Sequence, residues 1–245
     1  DTKIKEMLSL KKSLDILKKT DALLEGHFVL SSGLHSSKYI QCAKLLSFPS
    51  LADKICKSLA NKIKKKYKNI DLILAPAMGG VIIGYEIGKL LKKETIFCER
   101  VKGKFTLRRG FNIKKNSKVL IIEDVITTGK SSLECTKLIK KSKAKLVGFA
   151  SIIDRSTKNN LKIKQKIISH LKIDVPTYQP SKLPSTLKKI PPLGNTESAF
   201  VKRVTGGWSA KVSLRMRSDA VIVNLRDTSR RVDFVERMEC GNMDI

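Results

Sequence analysis

KVLIIEDVITTGKSS, running from Lys118 to Ser132, holds a strand, an acid pair and a polar turn in immediate succession. The apolar run Val119 to Ile122 has strand length and carries straight into Glu123 and Asp124. A short loop follows, Val125-Ile126-Thr127-Thr128-Gly129-Lys130, and a helix is expected from Ser131. A buried strand can hold two acids at the carboxyl edge of a sheet, where ligands of open α/β folds sit. Backbone N–H groups from Thr127 to Ser131 can wrap a phosphate where the helix begins, helped by hydroxyls and the positive dipole end. The stretch is thus a place for a phosphorylated hydroxylic compound, with acids for its hydroxyls or its metal ion. A bare strand–turn–helix would be no more than a corner of an α/β protein, but the string acid-acid-Val-x-Thr-Thr-Gly-x-Ser is far more specific.

Around that stretch, strands alternate with helices. Leu51, Ile55, Leu59 and Ile63 share one face of a helix opened by Pro49 and Ser50. A strand over Ile70 to Ala75 leads through Pro76-Ala77-Met78-Gly79-Gly80 into an apolar helix from Val81 to Leu91. The glycine pair allows close backbone approach, to another segment or to a ligand. Thr95 to Glu99 reads as another strand, Ser131 to Lys143 as a helix, and Leu146 to Ile153 as a strand ending in Asp154-Arg155-Ser156. This alternation predicts an α/β fold with a mostly parallel central sheet and ligands along its carboxyl edge. Apolar positions at helical spacing predict an amphipathic helix over residues 3–19, and Phe28 to Leu30 with Ser31-Ser32-Gly33 reads as a short strand and tight turn.

Between Arg100 and Arg109 stand five cations, Arg100, Lys102, Lys104, Arg108 and Arg109, without an amphipathic period. The plain reading is a solvated basic loop; the functional one is a mobile lid whose cations close over a polyanion. Over the whole chain 50 Lys+Arg face 22 Asp+Glu, a formal net charge of +28. Such a field attracts anions. The lysines are nevertheless scattered over helix faces, and no RNA-binding motif, zinc finger or helix-turn-helix accompanies them, so nucleic acid is not the expected partner.

No apolar run is long enough to span a bilayer, and the amino end lacks the apolar block of a secretory signal, so a cytoplasmic location without membrane attachment is expected. Cys42, Cys56, Cys98, Cys135 and Cys240 show no CxxC spacing, which suggests reduced thiols and no zinc site. Prolines at 180, 184, 191 and 192 predict an irregular finish, after which arginine replaces lysine and the sole Trp208 appears. Residues 1–193 are therefore taken as one domain and 194–245 as an unassigned tail, foreign or disordered, in which only Val221 to Leu225 has strand character.

These pieces agree with one family. Residues 20–192 resemble the orotate phosphoribosyltransferases, within the type I phosphoribosyltransferases, a fold that adds a small N-terminal hood region to the sheet and helices. The resemblance rests on Leu24-Glu25-Gly26-His27-Phe28 with Ser31-Ser32-Gly33-Leu34-His35-Ser36, on Ala75 to Gly80, on Glu99-Arg100 with Leu107 to Phe111, on the acid-pair loop, on Asp154-Arg155, and on Asp174-Val175-Pro176-Thr177-Tyr178. It implies transfer of ribose 5-phosphate from phosphoribosyl pyrophosphate (PRPP) to orotate, giving orotidine 5′-monophosphate and pyrophosphate in pyrimidine synthesis, with Mg²⁺ and as a homodimer. By position, Glu123 and Asp124 would meet the ribose hydroxyls. Val125, Ile126, Thr127, Thr128, Gly129, Lys130 and Ser131 would line the phosphate site, Thr127 and Arg155 would bind orotate, and Arg100, Lys102 and Lys104 would reach pyrophosphate from the loop. No side-chain metal ligand is implied, since Mg²⁺ would be held mainly through PRPP. The alternatives are a purine phosphoribosyltransferase, which shares the central loop, and a non-catalytic PRPP-binding regulator of nucleic acid. Some members carry Lys where Ser31 and Gly79 stand, and Glu123 replaces the Asp common at the first acid position.

Overall fold

The computed structural model describes residues 8–30 and 32–193, together with the backbone of 210–217, 220–227 and 233–239. Ser31, the amino-terminal part of the helix expected over 3–19, Trp208 and Cys240 lie outside the described residues. The chain divides into two units: residues up to Leu24 with Tyr39–Val175, and Glu25–Lys38 with residues from Pro176 onward.

The first unit is a sheet between helices. In chain order it holds α1 (Leu10–Lys19), α2 (Cys42–Leu46), α3 (Pro49–Lys66), β3 (Leu72–Pro76), α4 (Gly79–Leu91), β4 (Glu94–Val101), β5 (Lys104–Thr106), β6 (Lys118–Ile126), α5 (Lys130–Lys141), β7 (Lys145–Asp154) and β8 (Ile167–Lys172), with β1 and β2 given below. Its six strands run in the order β5-β4-β3-β6-β7-β8. All neighbours are parallel except the β4/β5 pair. Successive residues of β6 point to opposite faces, and both faces are covered. Leu120 and Ile122 join Ile55, Leu59, Ile83 and Ile87 in one core, while Val119 and Ile121 join Cys135, Ile139 and Phe149 in the other. That is why the run is continuously apolar, as strands of parallel sheets with two covered faces are.

Four expectations change in detail. β6 does not stop at Ile122 but keeps its pairing with β7 through Glu123↔Ser151, Val125↔Ile153 and Ile126↔Asp154. Both acids are therefore strand residues, only Thr127 to Gly129 forms the loop, and α5 begins at Lys130. The basic segment expected as a loop is largely a β-hairpin: Arg100 pairs with Phe105 and Val101 with Lys104 around Lys102-Gly103. Both turn residues have positive φ, 49° and 78°, which suits a tight hairpin turn. The helix expected from residue 3 starts, among described residues, at Leu10, where Ser9 caps Lys12 N–H. The proline-rich finish holds a 3₁₀ turn, Pro180–Lys182, and the short helix α6 (Ser185–Lys188).

The second unit centres on a small sheet in which β2 (His35–Ile40) lies between β1 (Leu23–Val29) and β9 (Thr177–Tyr178). The two histidines, unremarkable as sequence, join each other: His27 Nδ1 donates to Ile190 O at 2.8 Å, and its Nε2 shares a hydrogen bond with His35 Nδ1 at 2.6 Å. Leu193 N–H donates to His27 O at 2.7 Å and its carbonyl accepts from Val29 N–H. The chain is thus tied to β1 as far as Leu193. Beyond it, β10 (Ala210–Arg217), β11 (Ala220–Asp227) and β12 (Asp233–Glu239) form an antiparallel meander. The strand expected over Val221 to Leu225 falls inside β11.

Candidate active site

Parallel strands β6 and β7 end side by side, so Glu123, Asp124, the Thr127 to Gly129 turn and Arg155 come to one edge of the sheet. Arg155 N–H donates to Ile126 O at 2.9 Å, which fastens the residue after β7 to the end of β6. Sequence reasoning placed these two segments at a carboxyl edge without a distance; the structure makes them adjacent.

The two acids differ in surroundings. Asp124 Oδ1 accepts from Val125 N–H at 2.8 Å, and burial raises its pKa from the ordinary aspartate value. Glu123 is pushed up to about 7, first by burial and also by the neighbouring Asp124 charge. Opposing donors limit that rise: the Ser132 hydroxyl, the Ser132 main-chain N–H and the more distant Arg100 cation. Ser132 Oγ makes its hydrogen bond to Glu123 Oε1 from the first turn of α5. Opposite Asp124 stands Gly79, the first residue of α4. A Cβ built there would fall 2.7 Å from Asp124 Oδ1, so the helix start and the carboxylate occupy the space a side chain would need.

The loop is shaped by Gly129, whose φ of 72° lies in the left-handed region. It is also the N-cap of α5 and, as glycine, offers no side chain to cap it. Of the first-turn amides, Lys130 N–H is taken by Thr128 Oγ1 at 3.3 Å and Ser132 N–H by the Glu123 carboxylate. The positive end of the helix dipole still favours an anion at this turn. Thr128 O accepts from Lys162 N–H at 2.9 Å, bracing the turn from behind.

Arg155 is half-buried, its Nε has no hydrogen-bond partner, and burial lowers its pKa, although not toward neutrality. A planar cation with an unpartnered donor at a sheet edge suits a carboxylate, which can accept two parallel bonds from it. Asp154 Oδ1 accepts from Ser156 N–H at 2.8 Å and sets the turn that presents this arginine.

The hairpin cations separate into two groups. Arg100 is engaged: Nη1 lies 2.8 Å from both Gly103 O and Glu134 Oε2, with the guanidinium 4.1 Å above the Phe105 ring. Lys102 and Lys104 stand exposed at the hairpin turn, and among the described residues they make no contact with the acid pair. The structure thus groups Glu123, Asp124, the loop and Arg155 directly, Arg100 more remotely, and leaves the two lysines apart. Sequence reasoning missed Ser132, Glu134 and the closeness of Gly79 to Asp124. Only the small residues at 79 and 80 carried a signal for the last of these.

Among the described residues no group of three or more His, Cys, Asp or Glu could hold a metal ion. Two carboxylates beside a helix start offer oxygen ligands of the kind that Mg²⁺ takes.

The comparisons with known proteins bear on this edge. A model of the phosphoribosyl transferase domain matches residues 43–177. The orotate phosphoribosyltransferase of Helicobacter pylori (strain P12) is 47% identical over 163 residues, 66% of this chain and 78% of that protein. The chain belongs to the orotate phosphoribosyltransferase family. Solved structures agree on the fold of the family and extend it to a second kind of enzyme. The orotate phosphoribosyltransferase of Aeropyrum pernix superimposes with a TM-score of 0.56 at 22% identity, covering 65% of this chain and 92% of that one. An adenine phosphoribosyltransferase from Leishmania donovani reaches 0.50 at 20% identity, covering 65% and 79%. Fold likeness alone therefore does not select the acceptor base. Membership of the family rests on sequence.

Proposed function

We propose that the protein transfers the 5-phosphoribosyl group of PRPP to orotate, releasing pyrophosphate and forming orotidine 5′-monophosphate, a step of pyrimidine nucleotide synthesis. The observation that carries this reading is the joint edge of β6 and β7, where an acid pair and a helix start with a glycine N-cap stand beside a half-buried arginine. The Thr127 to Ser131 segment holds the 5′-phosphate, Glu123 and Asp124 hold the ribose hydroxyls, and Arg155 with Thr127 holds orotate.

The chemistry follows from these placements. A ring nitrogen of orotate forms the new bond to ribose C1 and gives up its proton to the departing pyrophosphate or to solvent, while the bond from C1 to the pyrophosphate oxygen breaks and its electron pair leaves with pyrophosphate. The acceptor supplies its own nitrogen nucleophile, so no side-chain nucleophile is required. Carboxylates beside the ribose stabilise positive charge developing on the ring, and hairpin cations stabilise the departing anion. Mg²⁺, when bound with PRPP, supplies further charge neutralisation of the phosphates. Arg100 must exchange Glu134 for pyrophosphate to act, whereas Lys102 and Lys104 can swing in from the turn.

Two further features belong to this reading. Met78, Ile82 and Tyr85 are exposed along one face of α4, by 86%, 56% and 67%, a surface suited to the partner subunit of a homodimer. Residues 1–193 form the transferase, ending where Leu193 is tied to His27, and residues 194–245 are not needed for the chemistry. No helix among the described residues is long and apolar enough to cross a membrane. The specific test is Arg155→Ala. The orotate KM should rise by roughly 100-fold, as for loss of a charge-assisted bidentate contact, while the PRPP KM changes little. Equal increases in both would remove the carboxylate role from Arg155.

A further inference from the structure

Helix α5 holds more than the phosphate turn. Ser132 is fully buried in its first turn, and its single O–H is directed at Glu123 Oε1 on β6. A serine deeper in a helix can bond back to the carbonyl four residues earlier. In the first turn of α5 that residue, Thr128, lies before the N-cap, and the hydroxyl bonds the acid. The Ser132 main-chain N–H acts on the same carboxylate. One residue thus presents two donors to the first acid of the pair, while Asp124 takes its own donor from Val125 N–H. The donors come from different elements, so the two carboxylates are set independently.

We propose that Ser132 is a positioning residue for donor binding: its hydroxyl holds the Glu123 carboxylate in the orientation that meets the ribose hydroxyls of PRPP. This rests on the assignment of the acid pair to PRPP. It also accounts for glutamate at this position, because the additional methylene carries the carboxylate from the strand to the helix. The cations and acids facing Glu123 elsewhere are Arg100 from β4 and Asp124 from β6, and neither replaces a hydroxyl fixed in the first turn of a helix.

The test is a mutant cycle read by PRPP titration calorimetry with Mg²⁺ and by kcat/KM for PRPP. Ser132→Ala keeps the size of the buried side chain, and thermal melting checks its fold. PRPP affinity and kcat/KM should each fall about tenfold, the scale of a hydrogen bond to a charged group. Ser132→Thr, which keeps the hydroxyl, should recover most of the loss. In a Glu123→Asp background, where the carboxylate no longer reaches the helix, Ser132→Ala should change affinity less than twofold. The acid limb of the pH profile of kcat/KM should also move to higher pH in Ser132→Ala, a change that simple loosening of the helix would not cause. Wild-type affinity in folded Ser132→Ala overturns the inference, as does an equal tenfold loss in the Glu123→Asp background. Failure of the wild-type protein to bind PRPP overturns the parent assignment together with the inference.

Discussion

Replacing Gly129 by alanine separates the geometry of the phosphate turn from its chemistry, because the added methyl carries no charge and removes no donor. Two costs follow from the structure. The residue sits at φ 72°, where an L side chain costs about 1–2 kcal/mol. The new Cβ would also fall 2.5 Å from Ile163 Cδ1 and 2.6 Å from Cγ1. Ile163 is buried in the core that holds Ile121 and Cys135, so its side chain has little room to withdraw, and overpacking of this kind costs about 1–3 kcal/mol. Together they amount to roughly 2–5 kcal/mol, or a Tm lower by about 4–20 °C for a chain of this size. Ordinary contact requires the turn and Ile163 to part by about 0.9 Å, and displacement on the 1 Å scale costs up to ~100-fold in a positioned site. The PRPP KM should therefore rise by roughly 10- to 100-fold at temperatures where the variant is still folded. Adding Ile163→Ala should recover the steric share of the KM effect and leave the left-handed penalty. Thermal melting and initial-rate kinetics at varied PRPP measure both. A Gly129→Ala protein with wild-type Tm and wild-type PRPP KM would refute the account of the turn.

Two other outcomes are expected. Burial holds Glu123 at about 7, above its unfolded value near 4.5, so this acid's contribution to stability is full below about 4.5 and is lost as pH rises through about 7. Glu123→Gln should consequently gain Tm relative to wild type between pH 5 and pH 8 while losing PRPP turnover; a Tm difference that does not change with pH would contradict the burial of this carboxylate. Truncation after Leu193 should retain soluble activity, whereas truncation before it removes the bonds to His27 and Val29 and should destabilise the β1 region. Loss of all soluble activity on cutting after Leu193 would give the tail a role that this account denies it.

The readable parts of the sequence were those in which one local period or one short motif carries the structure. β6 was visible as an apolar run because both of its faces are buried, and α3 because Ile55, Leu59 and Ile63 recur on one face. The acid pair and turn were visible because few residue types can fill them. What was not legible depends on partners distant in sequence. The extension of β6 through both acids follows from pairing with β7, and nothing within Glu123 to Ile126 announces it. The hairpin at Arg100 to Thr106 is short and basic and lacks the alternation of a half-buried strand, although its Lys102-Gly103 turn fits a two-residue connection. Ser132 reads as a helix-start serine like Ser131, and only the position of β6 beneath α5 shows which acid it serves. The pairing of His27 with His35 is similar, since two histidines eight residues apart show their relation only once β1 and β2 lie side by side.

The central claim, that this site joins PRPP to orotate, is tested most directly by pyrophosphate release from PRPP and Mg²⁺ with orotate, adenine, hypoxanthine and xanthine offered separately to the full chain. The account predicts turnover with orotate and not with the purines, because a neutral base leaves Arg155 without its carboxylate. Turnover with a purine alone, or none with any acceptor alongside salt-dependent binding of RNA or DNA, would contradict it.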